Sequence, residues 1–202
     1  MFLTSVAVIS LTGVMMPGPV TAVTVMEGRR DGNAGAAVAV GHALVELPLI
    51  FLIYFGLAHF FTVNYVRACV GLAGGGFLIY TGFTMIRGIK EDLSYGKASS
   101  GALLGGLLAT ALNPYFFVWW ATVGSTLIMN SILFGLIGLG LFISTHWSCD
   151  LAWYLLLSKI MFKSKRYLKP LTMKAINVGL ALLLAGFGLM FMITGLRALW
   201  PF

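Results

Sequence analysis

The chain has 202 residues, of which 59% are hydrophobic and only 9% are charged. A soluble domain carries roughly 25% charged residues, so this composition excludes a soluble globular domain and indicates an integral membrane protein surrounded by the lipid bilayer. The net charge of +7 does not indicate nucleic-acid binding, because the basic residues are confined to loops between apolar segments.

Six segments are apolar over the roughly 20 residues that a membrane-spanning helix needs. They cover approximately residues 2–26, 34–61, 66–87, 101–128, 131–158 and 175–197. We interpret the first segment as a membrane helix and not as a secretory signal, because no Lys or Arg precedes it and no Ala-x-Ala-like cleavage site follows it. The sequence therefore predicts an all-α membrane protein with six transmembrane helices, organised as a single domain over residues 1–202.

The basic residues predict the orientation of these helices. Eleven of the thirteen lie in the loops that follow the first, third and fifth segments, and only Arg67 and Arg197 lie on the other side. Loops rich in Lys and Arg face the cytoplasm, so both termini are predicted outside.

The polar stretch 88–100 is predicted to be a cytoplasmic linker between two halves, approximately 1–87 and 101–197. Each half contains three helices, so related halves must be inserted in opposite orientations, an arrangement common among secondary transporters. We therefore predict two inverted three-helix repeats.

Proline interrupts the first helix of each half. The sequence reads Pro17-Gly18-Pro19 in the first half and Asn113-Pro114 in the second. Proline removes an N–H donor and clashes with the preceding turn, and non-helical backbone at membrane depth is tolerated where it is buried or lines a wet cavity. A packed kink is the simpler interpretation of either site alone, whereas paired interruptions favour a substrate-binding site.

The second helix of each half carries a histidine followed four residues later by an acid. These pairs are His42 with Glu46 in "GHALVE" and His146 with Asp150 in "THWSCD". An intramembrane acid is costly and is a functional hypothesis by default, although each acid could instead form a structural pair with its histidine. The histidines could be polar partners of the acids, proton carriers or metal ligands.

Enzyme motifs are lacking in the sequence. There is no HExxH, CxxC or nucleotide-binding loop, so we predict no catalytic residues and no cofactor. An intramembrane enzyme would need a nucleophile, and Ser144, Thr145, Ser148 and Cys149 have no recognised catalytic spacing. A purely structural subunit would not explain polar pairs at membrane depth.

Other residues are given structural interpretations. The glycine-rich stretches 71–76 and 101–106 predict surfaces of close helix packing. Trp119, Trp120, Trp147 and Trp153 could line a cavity or face lipid, and the sequence leaves this open. His59 and Trp200 are predicted to be interfacial.

The order "PGP", "GHALVE", "LNP" and the acid of the fifth helix resembles the lysine exporter (LysE/RhtB) family of small membrane transporters over nearly the whole chain. The resemblance implies efflux of amino acids or related metabolites across the cell membrane, driven by a proton or ion gradient. Many members have Gly-Asp where this chain has Val45-Glu46, and paired histidines are not typical of the amino-acid exporters.

From this resemblance we expect a secondary exporter of an amino acid or similar metabolite. The substrate would bind at Pro17, Gly18, Pro19, Glu46, Asn113, Pro114 and Asp150, with Glu46, Asp150, His42 and His146 as proton-coupling groups or polar partners. The alternative is a divalent-cation exporter with His42, Glu46, His146 and Asp150 as metal ligands. The sequence leaves open whether the chain forms homo-oligomers.

Overall fold

The computed structural model describes residues 1–57, 60, 63–88, 99–164, 166–167 and 170–199. These residues form helices joined by short turns, and no β-strand occurs among them. Residues 89–98 of the predicted linker, together with His59 and Trp200, lie outside the described residues.

The helices follow the predicted apolar segments in chain order. The first segment forms α1 (Phe2–Val14) and α2 (Pro19–Gly28), the second α3 (Ala34–Tyr54) and the third α4 (Asn64–Gly88). The fourth forms α5 (Ser99–Ala111), α6 (Pro114–Trp119), a π-helical turn (Trp120–Gly124) and α7 (Ser125–Ile132). The last two segments form α8 (Gly135–Ser164) and α9 (Pro170–Leu199).

The first and fourth segments break at the predicted prolines. α1 and α2 meet at an angle of 76°, and α5 meets the run Pro114–Ile132 at 59°. Pro19 and Pro114 lie in the first turn of the helix that follows each break, where proline removes no intrahelical hydrogen bond. At the second break, Thr110 O accepts the N–H of Asn113 at 3.1 Å, so a local turn satisfies the carbonyl that Pro114 cannot bond.

The second segment ends its helix earlier than predicted, at Tyr54 rather than near residue 61. Gly56 has a φ of +89°, a conformation that favours glycine and ends helices. The N–H of Phe55 donates to Phe51 O at 3.0 Å, and that of Gly56 donates to Ile53 O at 2.9 Å. These bonds close the last turn, so α3 ends at Tyr54.

Three described helical stretches are long and apolar enough to cross a membrane alone. They are Ala34–Tyr54, Asn64–Phe83 and Lys174–Leu199, and each of the two bent pairs could supply one further span, which gives three to five spans among the described residues. α8 is 30 residues long, but its polar stretch 144–150 interrupts the apolar pattern. On its outer surface, Leu136 and Ile137 are 76% and 78% exposed, as expected for side chains that face lipid rather than water.

α3 lies at the centre of the helix packing. α3 contacts α2, α5, α7 and α8, while α1 packs on α8 and α2 packs on α5 and α8. α4 packs mainly against α9, and a small apolar cluster of Ala22, Leu78, Leu184 and Phe191 joins this helix pair to α2. The two halves of the chain are therefore interleaved around α3.

Candidate functional site

The two His/acid pairs, which are distant in sequence, meet in one buried cluster. Glu46 Oε1 lies 3.0 Å from His42 Nε2 and 3.1 Å from His146 Nε2. Asp150 Oδ2 lies 3.7 Å from His42 Nε2 and 3.6 Å from His146 Nε2. α3 supplies one pair and α8 the other, so the cluster exists only because these helices pack together.

All four side chains of the cluster are buried, with Glu46 1% and Asp150 2% exposed. Glu46 Oε2 and Asp150 Oδ2 have no hydrogen-bond partner within the described part of the chain. Two ionised carboxylates with two neutral imidazoles would leave an uncompensated negative charge in a medium of low dielectric constant, which is strongly unfavourable. The geometry therefore favours protons, an ammonium group or a metal ion at this position.

Hydroxyl groups hold the outer nitrogen of each imidazole. Thr110 Oγ1, on α5, lies 2.8 Å from His42 Nδ1, and Ser10 Oγ, on α1, lies 2.6 Å from His146 Nδ1. Ser10 is 1% exposed and Thr110 is fully buried. Neither residue was among those predicted from the sequence, because a serine or threonine in an apolar helix usually bonds only to its own backbone.

Aromatic rings enclose the imidazole of His146. Trp119 and Phe142 stack on it at ring-centroid distances of 5.9 and 5.8 Å, and Trp120 packs at a steep angle at 5.1 Å. The π-helical turn begins at Trp120, and a Cβ on Gly124 would collide with the Trp120 ring. Gly124 therefore leaves the space that seats Trp120 against the histidine, and π-helical turns are frequent at functional sites.

The helix break at Pro17–Pro19 leaves unpaired backbone donors. The N-cap of α2 is Gly18, whose φ of −164° is extended and which has no side chain to cap the helix. Ala22 N–H bonds to Gly18 O at 3.0 Å, whereas no hydrogen bond within the described chain satisfies the N–H groups of Val20 and Thr21. Unpaired N–H groups at a helix N-terminus attract anions.

The second break differs from the first. The side chain of Asn113 caps α6, because its Oδ1 accepts the N–H of Tyr115 at 3.1 Å. This cap occupies a donor at the start of α6, whereas Gly18 has no side chain to cap α2. The ring of Pro114 lies toward Gly74 of α4, and Pro114 is not among the described residues that line the cavity next to the cluster.

A cavity of about 270 Å³ joins the cluster to the first break. Glu46, Asp150, His42 and His146 line it together with Pro17, Gly18, Pro19 and Asn113. The remaining wall is largely apolar and includes Phe116, Trp119, Trp120, Phe187, Met190 and Phe191. No Lys or Arg belongs to the described lining. Trp119 and Trp120 thus face the cavity, whereas the sequence did not decide between the cavity and lipid for them. The α9 residues of the lining were not predicted, because their side chains are apolar and the sequence gives no sign of their role.

A metal ion could bind to part of the cluster. One ligand atom each from His42, Glu46 and Asp150 lies within 4.8 Å of the other two, and imidazole with carboxylate suits several divalent transition metals. His146 contacts the same carboxylates but does not belong to this three-atom group.

Comparison with known proteins gives the following relatives. The family model described as "LysE type translocator" matches residues 11–195 of the chain. A curated protein of Bacillus subtilis (strain 168), named "Putative amino acid efflux protein YcgF", is 27% identical over 120 residues, which cover 56% of this chain and 57% of that relative. The matched region thus spans less than two thirds of that relative's length. No solved structure matches the chain.

Proposed function

Because the chain belongs to the LysE type translocator family, whose members are multi-pass membrane transporters, we propose that it exports an amino acid or related small metabolite across the cytoplasmic membrane. Export is coupled to a proton or ion gradient. The name of the Bacillus subtilis relative, an amino acid efflux protein, supports this substrate class.

One observation carries the proposal: groups that attract an anion and groups that attract a cation line the same cavity. The unpaired N–H groups of Val20 and Thr21 attract a carboxylate, while the buried carboxylates of Glu46 and Asp150, which belong to the lining of the same cavity, attract an ammonium group. An amino acid carries both groups. With no Lys or Arg in the described lining and an apolar wall from α9, the cavity favours an uncharged side chain.

In the proposed mechanism, the substrate ammonium and the coupling proton compete for the cluster. When the ammonium binds to Glu46 and Asp150, it supplies the positive charge that the buried carboxylates need, and a proton can leave. When the substrate leaves, a proton takes its place. This exchange links substrate movement to the gradient, because a cluster that holds neither the ammonium group nor the proton is electrostatically unfavourable.

The membrane arrangement that we propose has six spans in two inverted repeats within one domain, with both termini outside. The bent pairs supply the first and fourth spans and α8 the fifth. Two contacts support the repeat, because each histidine is held by a hydroxyl from the proline-broken segment of the opposite half, His42 by Thr110 and His146 by Ser10. Labelling of cysteines introduced at exposed Asp31, between α2 and α3, and at exposed Leu133, between α7 and α8, tests the orientation. Modification of Asp31→Cys from outside would contradict it.

Thermal stabilisation of the purified protein tests the substrate. A ligand that binds only the folded state stabilises it by about 2.7 kcal/mol at 100 times its dissociation constant. We expect amino acids with uncharged side chains to raise the melting temperature of the parent but not that of Glu46→Gln. Asp31→Asn, which changes an exposed acid, is the control and should respond like the parent. If no amino acid or related metabolite stabilises the parent, the proposed substrate class is wrong.

A divalent-cation exporter is the second candidate, favoured by the three-atom group of His42, Glu46 and Asp150. In this case the metal ion itself would be the substrate. Stabilisation by a metal that is abolished in His42→Ala, and reduced less in His146→Ala, would replace the amino-acid proposal.

A further inference from the structure

The hydroxyls that hold the two histidines differ in the hydrogen bonds left to them. A hydroxyl has one hydrogen to donate and two lone pairs to accept with. Thr110 Oγ1 donates its hydrogen to Gly106 O at 2.7 Å. It can therefore only accept from His42 Nδ1, 2.8 Å away, so this nitrogen must carry a hydrogen.

The hydroxyl of Ser10 has the opposite hydrogen-bonding role. Within the described chain its Oγ makes no hydrogen bond to a backbone carbonyl, and its one hydrogen-bond partner is His146 Nδ1 at 2.6 Å. A buried hydroxyl that kept its hydrogen unpaired would be costly, so Ser10 donates to this nitrogen, which must then be bare. The hydrogen of the neutral His146 ring lies on Nε2, from which it donates to Glu46 Oε1 at 3.1 Å.

We propose that Thr110 and Ser10 are positioning residues that hold the two histidines in opposite tautomers, and that His42 Nε2 is consequently the exchange position of the cluster. His146 then presents a permanent N–H to Glu46. His42 Nε2 presents a lone pair to Glu46 Oε1 at 3.0 Å, and two acceptors at this distance require a proton between them or a cationic group in its place.

This asymmetry gives the two halves of the cluster different roles. His146, enclosed by Trp119, Trp120 and Phe142, is a fixed donor that orients Glu46. His42 shares its proton with the carboxylates and releases it when a positive group binds. The role in transport rests on the proposed function, whereas the tautomers follow from the hydrogen bonds alone.

Nitrogen-15 NMR of the full-length protein, labelled at histidine, tests the tautomers directly, because an imidazole nitrogen that bears hydrogen is distinguished by its chemical shift from a bare one. The chain has three histidines, so His59→Gln leaves only the two of interest. We expect Nδ1 of His42 to carry hydrogen and Nδ1 of His146 to be bare. A bare Nδ1 on His42, or a hydrogen on Nδ1 of His146, would overturn the proposal.

Substitutions test whether the hydroxyls set these states. Thr110→Val should move the His42 hydrogen from Nδ1 to Nε2 and slow transport about tenfold, because the buried donor loses its acceptor. Thr110→Ser should restore both. Thr24→Val is the matched control, since Thr24 is fully buried and, among the described residues, its hydroxyl bonds only to Val20 O at 2.8 Å. An unchanged His42 spectrum in folded Thr110→Val would refute the positioning role, whether or not the protein proves to transport amino acids.

Discussion

Two regions of this molecule are held together by different means. Around the cavity, side chains from α1, α3, α5 and α8 meet through hydrogen bonds between single atoms. In the α4–α9 pair the backbones approach directly, and a Cβ built on Gly75 would lie 2.6 Å from Gly188 O, while one on Gly188 would lie 2.7 Å from Gly75 O. One region depends on polar atoms and the other on the absence of side chains.

The difference shows how a membrane protein separates chemistry from scaffold. Without a hydrophobic driving force between helices, close backbone contact at small residues stabilises a helix pair. Such a pair needs no buried polar side chains and tolerates polar changes elsewhere. The cluster is instead sensitive to small chemical changes, because the gain or loss of one proton changes its net charge. Four substitutions, in order of decreasing effect, test this comparison.

Glu46→Gln should have the largest effect on transport. It removes a carboxylate that contacts both histidines, and we expect transport to fall about 100-fold, because truncating one partner of a buried charge pair in a binding site costs about 2–5 kcal/mol. The initial rate of gradient-driven transport in proteoliposomes measures this. Asp31→Asn, outside the cavity, should retain the parental rate, and transport by Glu46→Gln at that rate would remove Glu46 from the mechanism.

Gly75→Ala should act mainly on stability, because Gly75 lies outside the lining of the cavity. Its Cβ would collide with backbone of α9, and overpacking of this kind costs about 1–3 kcal/mol. A Cβ built on the neighbouring Gly76 has no atom of the described residues within 4 Å. Gly76→Ala should therefore leave the melting temperature in detergent unchanged or raise it through helix propensity. Equal melting temperatures for the two variants would show that the glycine contact does not stabilise the pair.

Gly18→Ser should weaken substrate binding with little change in stability. The extended φ of Gly18 suits any residue and a Cβ has room there. The serine hydroxyl can cap α2 and occupy the donors proposed for the substrate carboxylate, raising KM about tenfold while stability changes by only a few tenths of a kcal/mol. An amino-acid amide, which lacks the carboxylate, serves as the comparison ligand. A KM unchanged for the amino acid would place its carboxylate elsewhere.

Met190→Ala should have the smallest effect of the four, on substrate KM. Met190 lies where the α4–α9 pair meets the cavity. Met190 belongs to α9 and lines the cavity, and loss of its apolar contact with a substrate side chain should raise KM about 3- to 5-fold. Leu189→Ala changes a neighbour that is 56% exposed and absent from the lining. If both variants raise KM equally, the effect arises from α9 as a whole and not from a contact in the cavity.

Much of the fold could be predicted from the sequence because the signals are local. Apolar length located the helices, and Pro19 and Pro114 located both breaks, since proline cannot continue a helix. The early end of α3 at Tyr54 was missed, because the apolar pattern continues past Gly56 and the sequence does not show that this glycine adopts a positive φ. The capping of α6 by Asn113 was also missed, since a side-chain rotamer decides it.

The sequence by itself determined that this is a helical membrane protein, where its helices break and which intramembrane acids and histidines are candidates for function. These properties follow from hydropathy and backbone chemistry, which each segment carries alone. Only the tertiary structure decided that His42 and His146 share Glu46, that Ser10 and Thr110 hold them, and that α9 closes the cavity with apolar side chains. Contacts between residues as far apart as Ser10 and His146 depend on helix packing, and hydroxyl or apolar residues in a membrane helix carry no local mark of the partner they will meet.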